Sequence, residues 1–308
     1  MRSKFFAATT AVLLASTGAW AGSPSAAPEK TVAEPTRTEV PLNILRLRSS
    51  YVFESDFDND RGSGDALANS IEISRRFALD LPWPKAADGQ WFFRLGAEYA
   101  RFDFNHTGDL PLPNTLQSFA AVIALEYLQR GEVGILLESA PGFYFEESVS
   151  SEAFAAPTLL AAAFPVSEKL FLIGGASYHP FRSYPILPVA GVLWKISDRW
   201  TLRAIVPEPR LIFRAGDQLA LWAGAELSGG SFRVDESGDR DPKLRGAVLT
   251  YSEYRVGAGF TYGDPNRTAI DFGAGYAFNR KFDYHRADED YETEEGAPYV
   301  KLTFRAGF

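Results

Sequence analysis

From Pro41 onward, apolar and polar residues alternate one for one through segment after segment, and beyond residue 21 no run is long and apolar enough for a membrane helix. A period of two is the signature of a β-strand with one greasy and one wet face. The greasy positions read Leu45, Leu47, Tyr51, Phe53; Ile71, Ile73, Phe77, Leu79; and Trp91, Phe93, Leu95, Ala97, Tyr99. They continue with Phe119, Ala121, Ile123, Leu125, Tyr127 and with Val133, Ile135, Leu137. Later sets are Trp200, Leu202, Ala204, Val206; Leu219, Leu221, Ala223, Ala225, Leu227; Tyr254, Val256, Ala258, Phe260, Tyr262; and Ile270, Phe272, Ala274, Tyr276, Phe278. Between Thr158 and Ile196 both faces are apolar and the facing is ambiguous. Aromatic residues recur near segment ends, where a membrane-spanning strand meets the lipid interface.

The connections alternate in size. Gln129 to Glu132, Ser167 to Lys169, Ser197 to Arg199, Ala215 to Asp217 and Gly263 to Asn266 read as tight turns. Between them lie longer polar loops: Ser55 to Asp65, Asn105 to Asn114, Pro141 to Ala153, Gly229 to Arg245 and Phe282 to Gly296. Short turns on one rim and long loops on the other are the build of an all-β transmembrane antiparallel up-and-down β-barrel. A secreted soluble sandwich or propeller is the alternative, but it has no reason to sort its loops by side. Counting runs gives about 14 strands with Arg210 to Arg214 as a strand, or about 12 without it.

The amino terminus supplies the compartment. Arg2 and Lys4 precede an apolar run from Phe5 to Leu14, and Ala19-Trp20-Ala21 ends the segment, the pattern of a secretory signal peptide over 1–21 cleaved after Ala21. Loss of those two cations takes the formal charge from −8 to −10. An acidic chain has no electrostatic case for nucleic acid. Residues 22–40, rich in Pro, Ala, Ser and charge, read as a disordered periplasmic leader, leaving 41–308 for the barrel. Cysteine is absent, so disulfides, thiolate metal sites and cysteine nucleophiles are excluded.

The last ten residues, YVKLTFRAGF, put Val300, Leu302, Phe304, Ala306 and Phe308 on one face. The stretch resembles the carboxy-terminal assembly signal of Gram-negative outer-membrane β-barrel proteins, in which a terminal Phe is read by the barrel-insertion machinery. The resemblance implies that Phe308 and Phe304 act in assembly, that the partners are outer-membrane lipid, lipopolysaccharide and that machinery, and that the chain resides in the bacterial outer membrane. Within that superfamily, Pro188 to Lys195 and Glu253 to Gly259 look like uncharacterised barrels of unknown function.

Residues alternating with the greasy set should line the lumen: Arg46, Arg48, Glu72, Arg76, Arg94, Glu98, Glu126, Glu138, Arg203, Glu226, Glu253, Arg255, Asp271, Lys301 and Arg305. Buried charges of both signs predict paired ladders across strands, either as a pore wall of weak ion selectivity or as a network filling the interior. The pairs Gly257/Gly259 and Gly273/Gly275 open no helix, so they are inward gaps that make room for bulky groups opposite rather than a nucleotide loop, and no cofactor is expected. Acidic stretches around Asp56 to Asp65 and Asp283 to Glu295 read as solvated loops, without the Gly and Glu positions of a calcium loop, so no metal ligand is assigned. His106, His179 and His285 read as surface loop histidines; Ser177 near His179 and Asp283 near His285 form no catalytic constellation, and no enzyme activity is expected. The reading is a porin-like channel or facilitator for a small hydrophilic or amphipathic solute, with a structural or adhesive barrel of filled lumen second and an outer-membrane enzyme third.

Overall fold

The computed structural model describes residues 41–57, 62–81, 89–108, 110–129, 132–236, 241–264 and 267–308. The signal-peptide and leader segments, Asp58, Asp60, Arg130, Gly131, Pro265 and Asn266 lie outside the described residues. The alternating segments form strands as their period requires. The first wall is β1 (Asn43–Asp56), β2 (Ser63–Leu79), β3 (Gly89–His106) and β4 (Thr115–Gln129). Next come two interrupted strands, β5 (Glu132–Ser139) with β6 (Gly142–Phe145), and β7 (Phe154–Ala155) with β8 (Thr158–Pro165). Short strands follow: β9 (Leu170–Tyr178), β10 (Ile186–Lys195), β11 (Trp200–Ile205) and β12 (Arg210–Arg214). The far wall is β13 (Leu219–Arg233), β14 (Val248–Gly263), β15 (Thr268–Tyr284), β16 (Glu289–Glu292) and β17 (Ala297–Gly307).

Sequence neighbours pair antiparallel all the way round, and β1 joins β17 from Ile44↔Gly307 to Val52↔Tyr299. With β5/β6, β7/β8 and β16/β17 taken as interrupted single strands, the ring is a closed 14-strand antiparallel β-barrel. Arg210–Arg214 is one of its strands, which resolves the count in favour of fourteen. Closure leaves no sheet edge along the β1/β17 seam, the condition a barrel must meet in lipid. Both ends of the described chain lie on the short-turn rim, where the Asn43 and Phe308 main chains exchange hydrogen bonds of 2.7 and 3.1 Å. The Phe308 ring remains 74% exposed.

The greasy set faces out: Ile73, Phe119 and Val256 are each more than half exposed, while their polar neighbours point inward. Residues opposite each other in the ladder share a face, so Gly191↔Ile173, Val189↔Gly175 and Ala161↔Gly175 also settle the ambiguous middle. Ala161, Ala163, Ile173, Val189 and Leu193 point inward; Leu160, Leu172, Ile186 and Trp194 point outward.

All five long loops are shorter than the sequence suggests, three of them by the most. β13 runs on to Arg233, β15 to Tyr284, and β6 occupies part of the segment after Pro141. The reason is a second core above the apolar band. Phe102, Phe104, Phe232, Tyr251 and Phe282 pack across the interior, edge to face except for the tilted Tyr251–Phe282 pair, with ring centroids 4.8 to 6.0 Å apart. Phe57, Leu110, Leu112, Leu244, Leu249 and Tyr284 complete this buried cluster, which closes the long-loop end. Burying aromatic side chains of this size, at about 25 cal/mol per Å² of apolar area, stabilises the strand extensions that carry them.

Candidate lumen site

Every charged residue assigned to the lumen from the sequence lies on the inner face, and the structure sorts them into two clusters. The first sits on β1 to β5. Arg94 donates to Glu126 (2.7 Å) and Glu72 (2.9 Å) and also pairs with Glu138, while Arg76 reaches Glu126 at 2.6 Å and Arg46 reaches Glu72 at 2.8 Å. These groups are almost wholly buried, so each carboxylate depends on its guanidinium partners. Arg94 and Glu98 share one face of β3, but Arg94 is occupied by the other three carboxylates. The buried Glu98 Oε1 has no hydrogen-bond partner.

A residue the sequence reading missed organises the second cluster. Glu208 lies in the turn Val206-Pro207-Glu208-Pro209 between β11 and β12, and its side chain reaches into the lumen. It accepts from Lys301 (2.5 Å) and Arg210 (2.5 Å), with Arg48 at 3.8 Å and Arg203 at 3.9 Å. Lys301 also meets Glu226 at 2.5 Å, and Arg210 meets Asp271 at 2.8 Å. β13 and β17 are separated by β14 and β15, so the Lys301–Glu226 bond crosses the interior. Higher up, Arg255 donates to Glu253 and Arg280 lies 3.7 Å from it. Six cationic side chains, Arg48, Arg203, Arg210, Arg255, Arg280 and Lys301, therefore share four carboxylates, Glu208, Glu226, Glu253 and Asp271. Arg305 is inward too, beside Asp271's ladder, and its Nε has no partner. Charges of both signs line the interior, but on this side of the lumen the cations outnumber the carboxylates. The signal available in the sequence was a glutamate held between two prolines in an otherwise apolar stretch.

The inward glycines serve this cluster. A Cβ on Gly259 or Gly273 would stand 2.6 Å from the Trp222 ring, and one on Gly257 would stand 2.4 Å from the Tyr299 hydroxyl. Their absence lets Trp222 lie flat across the wall. There it takes the Arg210 guanidinium at 3.9 Å and the Lys301 ammonium at 5.3 Å on its ring.

Between the two clusters is a cavity of about 80 Å³, lined by Arg46, Arg48, Glu72, Glu98, Glu226 and Arg255 among others. The facing wall differs in kind. On β8 to β10 the inner face is mostly apolar, with Ala161, Ala163, Phe171, Ile173, Leu187 and Val189 part-exposed and Gly175 exposed; its polar members are the buried Ser177 near the tip and Lys195 at the base, whose ammonium lies 5.7 Å from the Phe171 ring. The lumen is thus charged on one side and apolar on the other.

The histidines depart from the expected surface role in one case. His179 is fully buried; its Nδ1 accepts from the Phe181 main-chain N–H at 3.2 Å, and its ring packs on Tyr144 at 5.6 Å. It is buried because the β9–β10 hairpin tip turns inward and Phe181 joins the cap core. Ser177 Oγ accepts from Arg182 at 2.9 Å. Among the described residues no group of three or more metal-ligating side chains gathers. Phe304 pairs with Ile270 and Leu47, and Phe308 ends the row.

No protein-family model and no curated protein matches the chain. Among solved structures it is similar to an outer membrane channel from Pseudomonas putida F1, with 10% identity, TM-score 0.45, and coverage of 91% of this chain and 99% of that one. A Pseudomonas aeruginosa FadL homologue shows 10% identity and TM-score 0.34 over 87% and 90% of the two chains. The translocator domain of autotransporter NalP from Neisseria meningitidis shows 10% identity and TM-score 0.33 over 89% and 90%. In architecture the chain is a closed 14-strand antiparallel transmembrane β-barrel, by its closed ring, its apolar outer face and its sorted loops.

Proposed function

We propose that the chain is an outer-membrane facilitator for a small amphipathic solute rather than a freely open pore for hydrophilic ones. The observation that carries this reading is the two-sided lumen. A cation-rich wall around Glu208 faces a part-exposed apolar wall on β8 to β10, so a molecule with a polar head and an apolar body matches both. The aromatic cap argues against simple axial diffusion from the long-loop end. That same cap favours the second reading, a structural barrel with a filled interior.

The chain is proposed to be exported by its signal peptide, to be assembled through Phe308 by the insertion machinery, and to sit among lipopolysaccharide. Reconstitution in liposomes separates the readings. The expected outcome is protein-dependent passage of octyl sulfate below its micellar concentration, with no sucrose-driven swelling. Rapid sucrose swelling points instead to an open pore, and passage of neither solute to a filled barrel.

A further inference from the structure

The wall is not of even height. β2, β3 and β15 are 17 or 18 residues long, whereas β11 and β12 have 6 and 5. The β11–β12 turn ends where Pro209 and Pro207 carbonyls accept from the Ala225 and Leu227 N–H groups. Above that point β13 continues to Arg233, and its ladder with β12 has stopped at Gly224. Its next contact on that side is at Arg233, with Phe145 of β6.

On the other flank, the β10 ladder with β11 stops at Gly191, leaving Ile186 to Ala190 without a ladder partner there. Strand parity turns the Pro188 nitrogen toward this side, and a proline has no N–H to leave unmet. With two strands missing between them, the edges of β10 and β13 are separated by about 14 Å, or three strand spacings. The gap has a sill, the Val206 to Pro209 turn, and a lintel, where Phe145 meets Arg233 and Glu152 pairs with Arg233. Exposed Tyr178, Tyr184 and Ile186 stand on its outer β10 side. Leu227, level with the sill, is about eight residues above the short-turn rim, so the gap lies near the outer lipid interface.

We propose that this gap is a side mouth through which an amphiphile with an anionic head leaves the outer lipid interface and reaches the lumen. The inference rests on the facilitator reading and specifies its route and ligand class. The sill carries Glu208, whose neighbours Arg48, Arg203, Arg210 and Lys301 outnumber the carboxylates around them; the anionic head seats there. The apolar body lies against Val189 and Ile173 on the inner face of the low wall. The cap above it blocks the axial path, which makes the side the open approach from the outer face.

The chain has no native cysteine, so single-cysteine variants report access directly. Val189→Cys places a thiol inside the mouth and Ala190→Cys places one on the outer face of the same strand. In proteoliposomes, a maleimide on an alkyl chain should label both, and should label Val189→Cys at least tenfold faster than a charged water-soluble maleimide does. Adding Ser228→Trp at the β13 edge should slow labelling of Val189→Cys roughly tenfold, with heat-modifiable migration showing that the barrel is intact. Equal labelling by the charged reagent, labelling of Ala190→Cys alone, or no effect of Ser228→Trp each overturns the side mouth. These outcomes do not depend on transport, so a failure of octyl sulfate to cross refutes the facilitator reading without touching them. For the head site, Arg203→Gln should weaken octyl sulfate binding in nonionic detergent roughly tenfold, and the exposed Arg101→Gln should not. Equal affinity of the two variants removes the anionic-head assignment.

Discussion

At the scale of single residues the interior is governed by the cost of leaving a buried charge alone. Arg94 serves Glu72, Glu126 and Glu138 at once, so Arg94→Ala leaves Glu138 unpaired and Glu72 and Glu126 with one arginine each, and should cost about 3–5 kcal/mol in urea unfolding monitored in detergent. Glu98, on the same strand, has an oxygen with no partner, so Glu98→Gln should be close to neutral in the same measurement. The contrast tests the network itself. Arg94 and Glu98 share a strand face but stand four residues, about 13 Å, apart along β3, and Arg94 reaches across to β2, β4 and β5 instead. Outside the membrane span, His285 on the β15–β16 turn has its pKa lowered, chiefly by burial and further by Arg286, with Asp283 opposing. A depressed imidazole pKa means the unfolded chain takes the proton first. The cap's stability is therefore full above the ordinary value of 6.5 and declines as pH falls below it toward the folded value. The protection factor of the Tyr284 to Tyr291 hairpin, which is exchange corrected for the intrinsic rate at each pH, should fall over that window, and His285→Gln should flatten the response.

At the scale of elements, the outward faces were legible because period two leaves no choice once one face meets lipid. Among the described residues the tight turns at Ser167 to Lys169, Ser197 to Arg199 and Ala215 to Asp217 were legible from their short polar sequence. What stayed hidden was everything set by contacts across the interior. The aromatic cap pulls Gly229 to Arg233 and Phe282 to Tyr284 into strands, although their sequence is loop-like. The low wall was ambiguous because its inner face is apolar too, which is the property that makes the lumen two-sided. Glu208 escaped notice because it belongs to a turn and not to a period. The inward glycines illustrate the legible kind: their spacing announced a bulky group opposite, and Trp222 is that group. Gly273→Val should clash with the Trp222 ring and lower the temperature of heat-modifiable migration, and Trp222→Phe should restore part of it. On the last strand, removing Phe308 should cut membrane insertion while export continues; normal insertion of the shortened chain would make the exposed terminal ring incidental.

At the scale of the whole molecule, two seals act in series along the axis, and they differ in physics. The lower is electrostatic: cross-lumen ion pairs such as Lys301–Glu226 and Arg210–Asp271, which an arriving charged group can exchange partners with. The upper is hydrophobic: Phe104, Tyr251 and Phe282 packed at 4.8 to 5.0 Å, which no hydrated ion can loosen at low cost. Planar-bilayer recordings of the intact protein should therefore show little steady current. Replacing Phe104, Tyr251 and Phe282 together by Ala removes the upper seal while leaving every lumen charge in place, and should open a measurable conductance. Because the cluster around Glu208 holds more cations than carboxylates, that current should favour anions, and Arg48→Gln with Arg203→Gln should move the reversal potential toward the cation side. An equally silent triple variant would show that the charged layer is itself impermeable. Cation preference in the opened barrel would show that Glu72, Glu98, Glu126 and Glu138, not the Glu208 cluster, set the field along the path.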